Sequence, residues 1–204
     1  MAFGPEYKIR DTQVEFGEVD PDVLAGHRPA NERETRFLSA TFRGALSDPK
    51  ILHEYLLGED TVSWALFVQK QLAGLAIIHS KDGIAFNRTL VFEEHQGNGL
   101  AKFAHIARMH HWFEELNATA LVSYIDFPNA PSFAAAERRG YYHVEDREID
   151  KVYRAVNPEH WTQFHELHPA QNATDESLAR VKASLVLARE VLIKPPHFKK
   201  RVII

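Results

Sequence analysis

The stretch Leu90-Val-Phe-Glu-Glu-His-Gln-Gly-Asn-Gly-Leu-Ala101 constrains this chain more than any other. A β-forming apolar run ends, two glycines follow one residue apart, and a run with helical recurrence begins. Glycine reaches backbone conformations closed to other residues and lets another group come close to the chain. Amides in such a loop point outward together. With the positive end of the following helix they form an anion site suited to a pyrophosphate. A dinucleotide fingerprint needs a third glycine three residues on, where Lys102 stands instead. A P-loop needs Gly-Lys-Ser/Thr, which this segment lacks.

The pattern on either side predicts a mixed α/β (α+β) fold around one sheet. In the polar first stretch, Tyr7 to Val14 reads as a strand. Asn31 begins a helix with Phe37, Leu38, Phe42 and Leu46 at helical spacing. Pro49 suits the first position of a second helix carrying Ile51, Leu52, Tyr55 and Leu56, with Gly58 at its end. Val62–Val68, Leu72–His79 and Ile84–Phe92 then read as a β-meander, turning at Gln71 and at Lys81-Asp82-Gly83. After the glycine loop come a helix from Leu100 to Leu116 and a strand from Ala120 to Ile125. A helix from Ala130 to Arg139 follows, capped by Gly140 in the left-handed conformation. Tyr141–Val144 and Ile149–Ala155 read as a hairpin turning near Asp150. Thr174 caps a last helix with Asp175 and Glu176 in its first turn. Leu178, Val181, Leu185, Ala188 and Leu192 mark its apolar face, and Pro195-Pro196 stops it.

Composition removes several functions. The formal net charge is -4, from 24 Lys+Arg against 28 Asp+Glu, without the basic excess of a general nucleic-acid binder. There is no cysteine, which excludes disulfide scaffolds, cysteine nucleophiles and thiolate metal sites. No apolar run approaches the ~20 residues needed to span a bilayer, and the first residues do not read as a signal peptide. A cytoplasmic protein without a membrane partner is the expectation. His160, His165 and His168 do not follow a standard zinc spacing, so no metal is expected. The basic run from Lys194 to Arg201 reads as a solvated terminus.

Two motifs carry a family resemblance. Gln96-Gly97-Asn98-Gly99-Leu100-Ala101, after a strand and opening a helix, matches Gln/Arg-x-x-Gly-x-Gly/Ala. Asn129 is followed eleven residues later by Gly140-Tyr141. In this order and on this background the chain resembles the GNAT superfamily of N-acetyltransferases, over about residues 31–156. The resemblance implies a single GNAT-like domain. Its central mixed sheet is largely antiparallel, splayed between two parallel strands and flanked by helices. Residues 1–156 would form that domain, and residues 157–204 a partly helical C-terminal extension with no family counterpart.

The resemblance also implies acetyl-CoA as acyl donor and a primary amine as acceptor, joined in a ternary complex. The amides of Leu90 and Val91 would bind the pantetheine arm and polarise the thioester carbonyl. Those of Gln96, Gly97, Asn98, Gly99, Leu100 and Ala101 would hold the pyrophosphate, and Asn129 would bond the pantetheine or order a water. Arg108, Arg138 and Arg139 are candidates for the phosphates, although a solvated surface is the better reading. The family's usual Tyr acid falls at Ala136, and its usual Glu base at Tyr124. Tyr124 is therefore the first catalytic candidate and Ser132 a weaker one, with Asn87 and Thr89 placed on one strand face to order a water. The alternative is a non-catalytic module for acyl-CoA or protein binding. A homodimer fits either reading.

Overall fold

Val14 and Phe16 lie two residues apart and are both fully buried, the period of a strand with one covered face. A computed structural model of the chain describes residues 3–9, 12–42, 48–56 and 61–194. The chain forms two compact units. Within the described ranges, the first runs to His79, resumes over Arg88–Ala104 and resumes again at Val191. The second takes Ser80–Asn87 and His105–Glu190.

In the first unit, β1 (Phe3–Ile9) and β2 (Thr12–Glu18) pair antiparallel, with Ile9 opposite Thr12. The single strand predicted over Tyr7–Val14 is thus a hairpin, and its two ends, Tyr7 and Val14, face each other across it. Strand β3 (Thr61–Val68) continues the antiparallel ladder, with Val14 opposite Val68 and Glu18 opposite Trp64. It turns into β4 (Gln71–Lys81) through Gln69 and Lys70, both with positive φ, so Gln71 opens the strand rather than making the turn. The second half of β5 (Ile84–Val91) completes the meander. Helices α1 (Pro21–Gly26), α2 (Glu32–Phe42) and α3 (Pro49–Leu56) cover it. Their Leu24, Leu38, Leu52 and Leu56 pack with Leu75, Ile77, Leu90 and Phe92. Each such side chain contributes roughly 1.5–3 kcal/mol by leaving water. Leu46 and Gly58, assigned to helix positions by the sequence pattern, lie outside the described residues.

In the second unit, the first half of β5 pairs parallel with β6 (Ala120–Asp126), from Ile84↔Ala120 to Asn87↔Ser123. Both strands run on past that last rung, β5 to Val91 and β6 to Asp126. Strand β8 (Asp150–Val156) pairs antiparallel with β6 and with β7 (Tyr142–Asp146). Asp150 opens β8 instead of turning the hairpin; the reversal runs over Arg147–Ile149, closed by Arg147 N–H to Asp150 O at 2.8 Å.

Helix α4 (Leu100–Met109) begins in the first unit and ends in the second. It widens into a π-turn over His110–Glu115, with Leu116 N–H reaching His111 O at 3.1 Å. The sequence reads as one uninterrupted helix there. His111, Trp112 and Phe113 in that turn are all buried and continue the buried run Ile106–Met109 of α4.

Helix α5 (Ala130–Glu137) ends at Gly140, whose φ of +90° is the predicted left-handed cap. Beyond α6 (Trp161–Leu167), Thr174 Oγ1 accepts Ser177 N–H at the start of α7 (Asp175–Val191), which buries Val181, Ser184, Leu185 and Ala188. Leu192 does not extend that apolar face. It opens β9 (Leu192–Lys194), which pairs antiparallel with β1, Leu192 opposite Tyr7. The free edge of β1 supplies hydrogen-bonding groups that a further helical turn would leave unused. The Pro195-Pro196 stop and most of the basic run lie outside the described residues. Among the described residues no helix is long and apolar enough to cross a membrane.

Candidate active site

The glycine loop lies in the first unit and is built from β5 forward. Leu90 and Val91 are buried at the end of that strand. A Cβ added to Gly74 on β4 would lie 2.3 Å from Leu90 O and 3.1 Å from Val91 Cα. Only a glycine lets β4 come so close to this pair. Reading the sequence misses Gly74, which sits inside an apolar run with nothing local to mark it. Phe92 N–H then donates to Ala73 O at 3.0 Å. A short 3₁₀ turn over Glu93–His95 follows, with His95 N–H to Phe92 O at 2.9 Å and Gln96 N–H to Glu93 O at 3.1 Å.

Gly97 and Gly99 have φ of +78° and +79°. A Cβ on Gly97 would meet nothing within 4 Å, and one on Gly99 would meet only Phe103 Cε2 at 3.8 Å. Both glycines are therefore required by backbone conformation, and the loop opens onto free space. The amides of Gly97, Asn98, Gly99, Leu100 and Ala101 donate to no acceptor among the described residues. Leu100 alone of these five is buried, anchoring the start of α4 while the others stay exposed. A row of unbonded donors at the positive end of a helix is the donor set a pyrophosphate requires. Gln96 takes a different part. Its Nε2 donates to Val91 O at 3.1 Å and its Oε1 accepts from Arg33 Nη1 at 3.4 Å. The side chain thus closes the loop back onto the strand.

Asn129, Tyr124 and Ser132 belong to the second unit. Asn129 is the N-cap residue of α5. Its backbone N–H donates to Asp126 O at 2.9 Å and its backbone O accepts Ser132 N–H at 2.9 Å. The Asn129 side chain makes no capping bond, which leaves its amide available. Ser132 is half-buried in the first turn of α5. Tyr124 is half-buried on β6, with the Phe86 ring stacked 6.2 Å away and the Arg147 guanidinium 4.9 Å from its centroid. Arg147 Nε also donates to Glu145 Oε1 at 2.7 Å. Ala136 is fully buried and offers no proton.

The surface reading of Arg108 is corrected by the structure. The residue is fully buried in the second unit, and its Nη2 donates to His105 Nδ1 at 2.8 Å. Burial, opposed by the nearby Tyr141 phenol, lowers its pKa to about 10. Asn87 is buried and its amide bonds within the sheet: Nδ2 donates to Val122 O at 2.8 Å and Oδ1 accepts from Ser123 Oγ at 2.8 Å. It ties the last parallel rung of β5 to β6. Arg138 is exposed, and Arg139 Nη1 donates to Ala135 O.

His165 is engaged at both ring nitrogens, by Tyr142 OH at 2.9 Å and Trp161 O at 2.8 Å. Among the described residues no three His, Asp or Glu side chains converge as a metal site.

The family model for the acetyltransferase (GNAT) domain matches residues 12–142. No curated protein sequence matches the chain. Solved structures do match its fold. An uncharacterised Bacillus halodurans protein shares 15% identity at a TM-score of 0.62, over 91% of this chain and 100% of that one. The PaiA N-acetyltransferase of Thermoplasma acidophilum, in complex with coenzyme A, shares 14% identity at a TM-score of 0.56, over 70% and 98%. Mutant forms of the spermidine/spermine N-acetyltransferase SpeG of Vibrio cholerae share 15% identity at a TM-score of 0.56, over 74% and 98%.

Proposed function

The chain belongs to the GNAT acetyltransferase family, and from that premise we propose that it moves an acetyl group from acetyl-CoA directly onto a primary amine. Family membership makes it an acyltransferase with acetyl-CoA as donor. The direct mechanism, the amine acceptor and the residue roles are our reading. One observation carries it: the unbonded amides from Gly97 to Ala101, opened by two left-handed glycines at the head of α4.

Bound acetyl-CoA supplies an activated acyl carbonyl. In this reading the Leu90 and Val91 amides donate to the carbonyl oxygen, where negative charge develops as the amine attacks. The glycine-loop amides hold the pyrophosphate, and the free side-chain amide of Asn129 orients the pantetheine. As the new N–C bond forms and the C–S bond breaks, the amine gives a proton to water, the thiolate gains one, and water restores the proton of its donor. Tyr124 is the donor to the sulfur, and Ser132 is the secondary candidate. A thiol of pKa ~8.5 leaves readily, so the missing acid at Ala136 costs less than it would for an alkoxide. In this reading residues 1–156 carry the chemistry and residues 157–204 are a C-terminal extension, partly helical. The spermidine/spermine enzyme among the structural neighbours supports an amine acceptor for this chain too.

Titrating the purified protein with acetyl-CoA, with NADH as control, tests the donor. Thiol release across a panel of amines tests the transfer. Micromolar binding with release on at least one amine is the expected result. Binding without release on any amine would overturn the transfer and leave a non-catalytic acyl-CoA module.

A further inference from the structure

The turn that delivers the chain into the glycine loop lacks a cap of its own. The 3₁₀ turn Glu93–His95 is preceded by Phe92, which makes no side-chain capping bond and has no group that could. The first amide of the turn still needs an acceptor, because a backbone donor left without one loses stability wherever it is shielded from water. Glu34 supplies it from α2, 59 residues away in sequence. Its Oε1 accepts Glu93 N–H at 2.9 Å, and its Oε2 accepts Ala30 N–H at 2.9 Å. The Glu34 side chain is fully buried, with His27 Nε2 at 3.5 Å from Oε2. A buried carboxylate is costly unless both oxygens are hydrogen-bonded, and here both are.

Three further contacts join the same two segments. His27 stacks on Phe92 with ring centroids 4.1 Å apart and planes at 12°. Asn31 Nδ2 donates to Glu93 Oε2 at 2.7 Å, while Asn31 Oδ1 caps α2 by accepting Glu34 N–H at 2.9 Å. Arg33 reaches Gln96, which in turn reaches Val91 O. All of these residues belong to the first unit.

We infer that Glu34 is a positioning residue for the anion loop: it caps the Glu93–His95 turn from α2 and so fixes the path of the chain into Gln96-Gly97-Asn98-Gly99. The inference rests on the assignment of that loop to acetyl-CoA. The start of α2 and the loop then behave as one latched piece, and the carboxylate is required because it must accept two amides at once. A glutamine of the same size accepts only one and turns an NH₂ donor toward the other.

Two readouts separate the latch from the donor assignment. The first is amide hydrogen exchange of the ligand-free protein over Glu93–Gln96, whose Glu93, His95 and Gln96 amides are bonded; the second is acetyl-CoA affinity by titration. Glu34→Gln should speed exchange across that segment and weaken acetyl-CoA about tenfold, the factor one lost charge-assisted bond carries. Asn31→Asp guards against a variant that merely fails to fold. Aspartate caps α2 as well as asparagine does, yet sets a carboxylate against Glu93 Oε2 where a donor stood. It should leave the melting temperature near wild type and still raise both exchange and acetyl-CoA Kd. Wild-type exchange over Glu93–Gln96 in both folded variants overturns the latch. Faster exchange in a protein that binds no acetyl-CoA at all upholds the latch and overturns the donor assignment. Faster exchange with wild-type affinity overturns the positioning role.

Discussion

At the residue scale, three positions divide the candidate site into separable demands. Gly97 meets a demand of conformation alone, since a Cβ there would touch nothing. Gly97→Ala should therefore cost roughly 1–2 kcal/mol of left-handed strain, relieved by a loop rearrangement that weakens acetyl-CoA while the fold stays cooperative. Calorimetric titration beside a urea melt reads both. Gly74 meets a demand of space, with its missing Cβ 2.3 Å from Leu90 O. Gly74→Ala should push the Leu90–Val91 backbone aside, cost about 1–3 kcal/mol as overpacking does, and reduce kcat as well as affinity. A variant that kept full kcat would separate Leu90 from the acyl carbonyl. Tyr124 meets a chemical demand. Tyr124→Phe should lower kcat by roughly 10- to 100-fold with acetyl-CoA affinity unchanged. Unchanged turnover would remove Tyr124 from the proton path.

The elements show which physical signals a sequence carries and which it hides. The glycine loop, the meander and the caps at Thr174 and Gly140 were legible because each depends on residue type at short range. Positive φ at Gly97, Gly99 and Gly140 needs a particular side chain, or none, in that place. The β1–β2 hairpin was not legible, because no glycine or proline interrupts Tyr7–Val14 and the pairing of its two halves decides where the chain reverses. Strand β9 was hidden for the same reason: Leu192 continues a helical period, and the edge of β1 takes it instead. Glu34 and Gly74 were hidden because their partners, Glu93 and Leu90, lie far along the chain. Gly140 joins both kinds of signal. Its left-handed φ was predicted, but its Cβ position lies 2.4 Å from Ser177 O and 2.6 Å from Val181 Cγ2 on α7, which was not. Gly140→Ala should therefore cost more than a helix cap alone, roughly 2–4 kcal/mol as strain and overpacking add. Exchange should quicken over Asp175–Glu190. If α7 keeps wild-type protection, the glycine is a cap and nothing more.

For the molecule as a whole, a net charge of -4 does not register that one arginine lies in the interior. Arg108 is fully buried beside His105, and Tyr141 and Arg139 lie within electrostatic reach. The helical pattern of α4 gave no sign of it, because a lone arginine among apolar residues reads as a side chain turned to water. An arginine only donates, so His105 Nδ1 must accept from it, and the single ring proton sits on Nε2. A second proton on His105 would sever that bond. Burial, with the Arg108 and Arg139 charges behind it, holds the His105 pKa well below the usual histidine range. The sign follows from linkage. The unfolded chain takes up this proton near pH 6.5 and the folded protein does not, so folding stability is complete above that pH and declines as pH falls below it. The decline from this one group is at most about 1.4 kcal/mol per pH unit. His105→Asn keeps an acceptor for Arg108 and removes the titration. Urea melts of the two proteins from pH 7.5 to 5 should therefore diverge, wild type losing stability faster than the variant below pH 6.5. Parallel curves would mean that His105 gains its proton in the folded state, and that Arg108 finds its acceptor elsewhere.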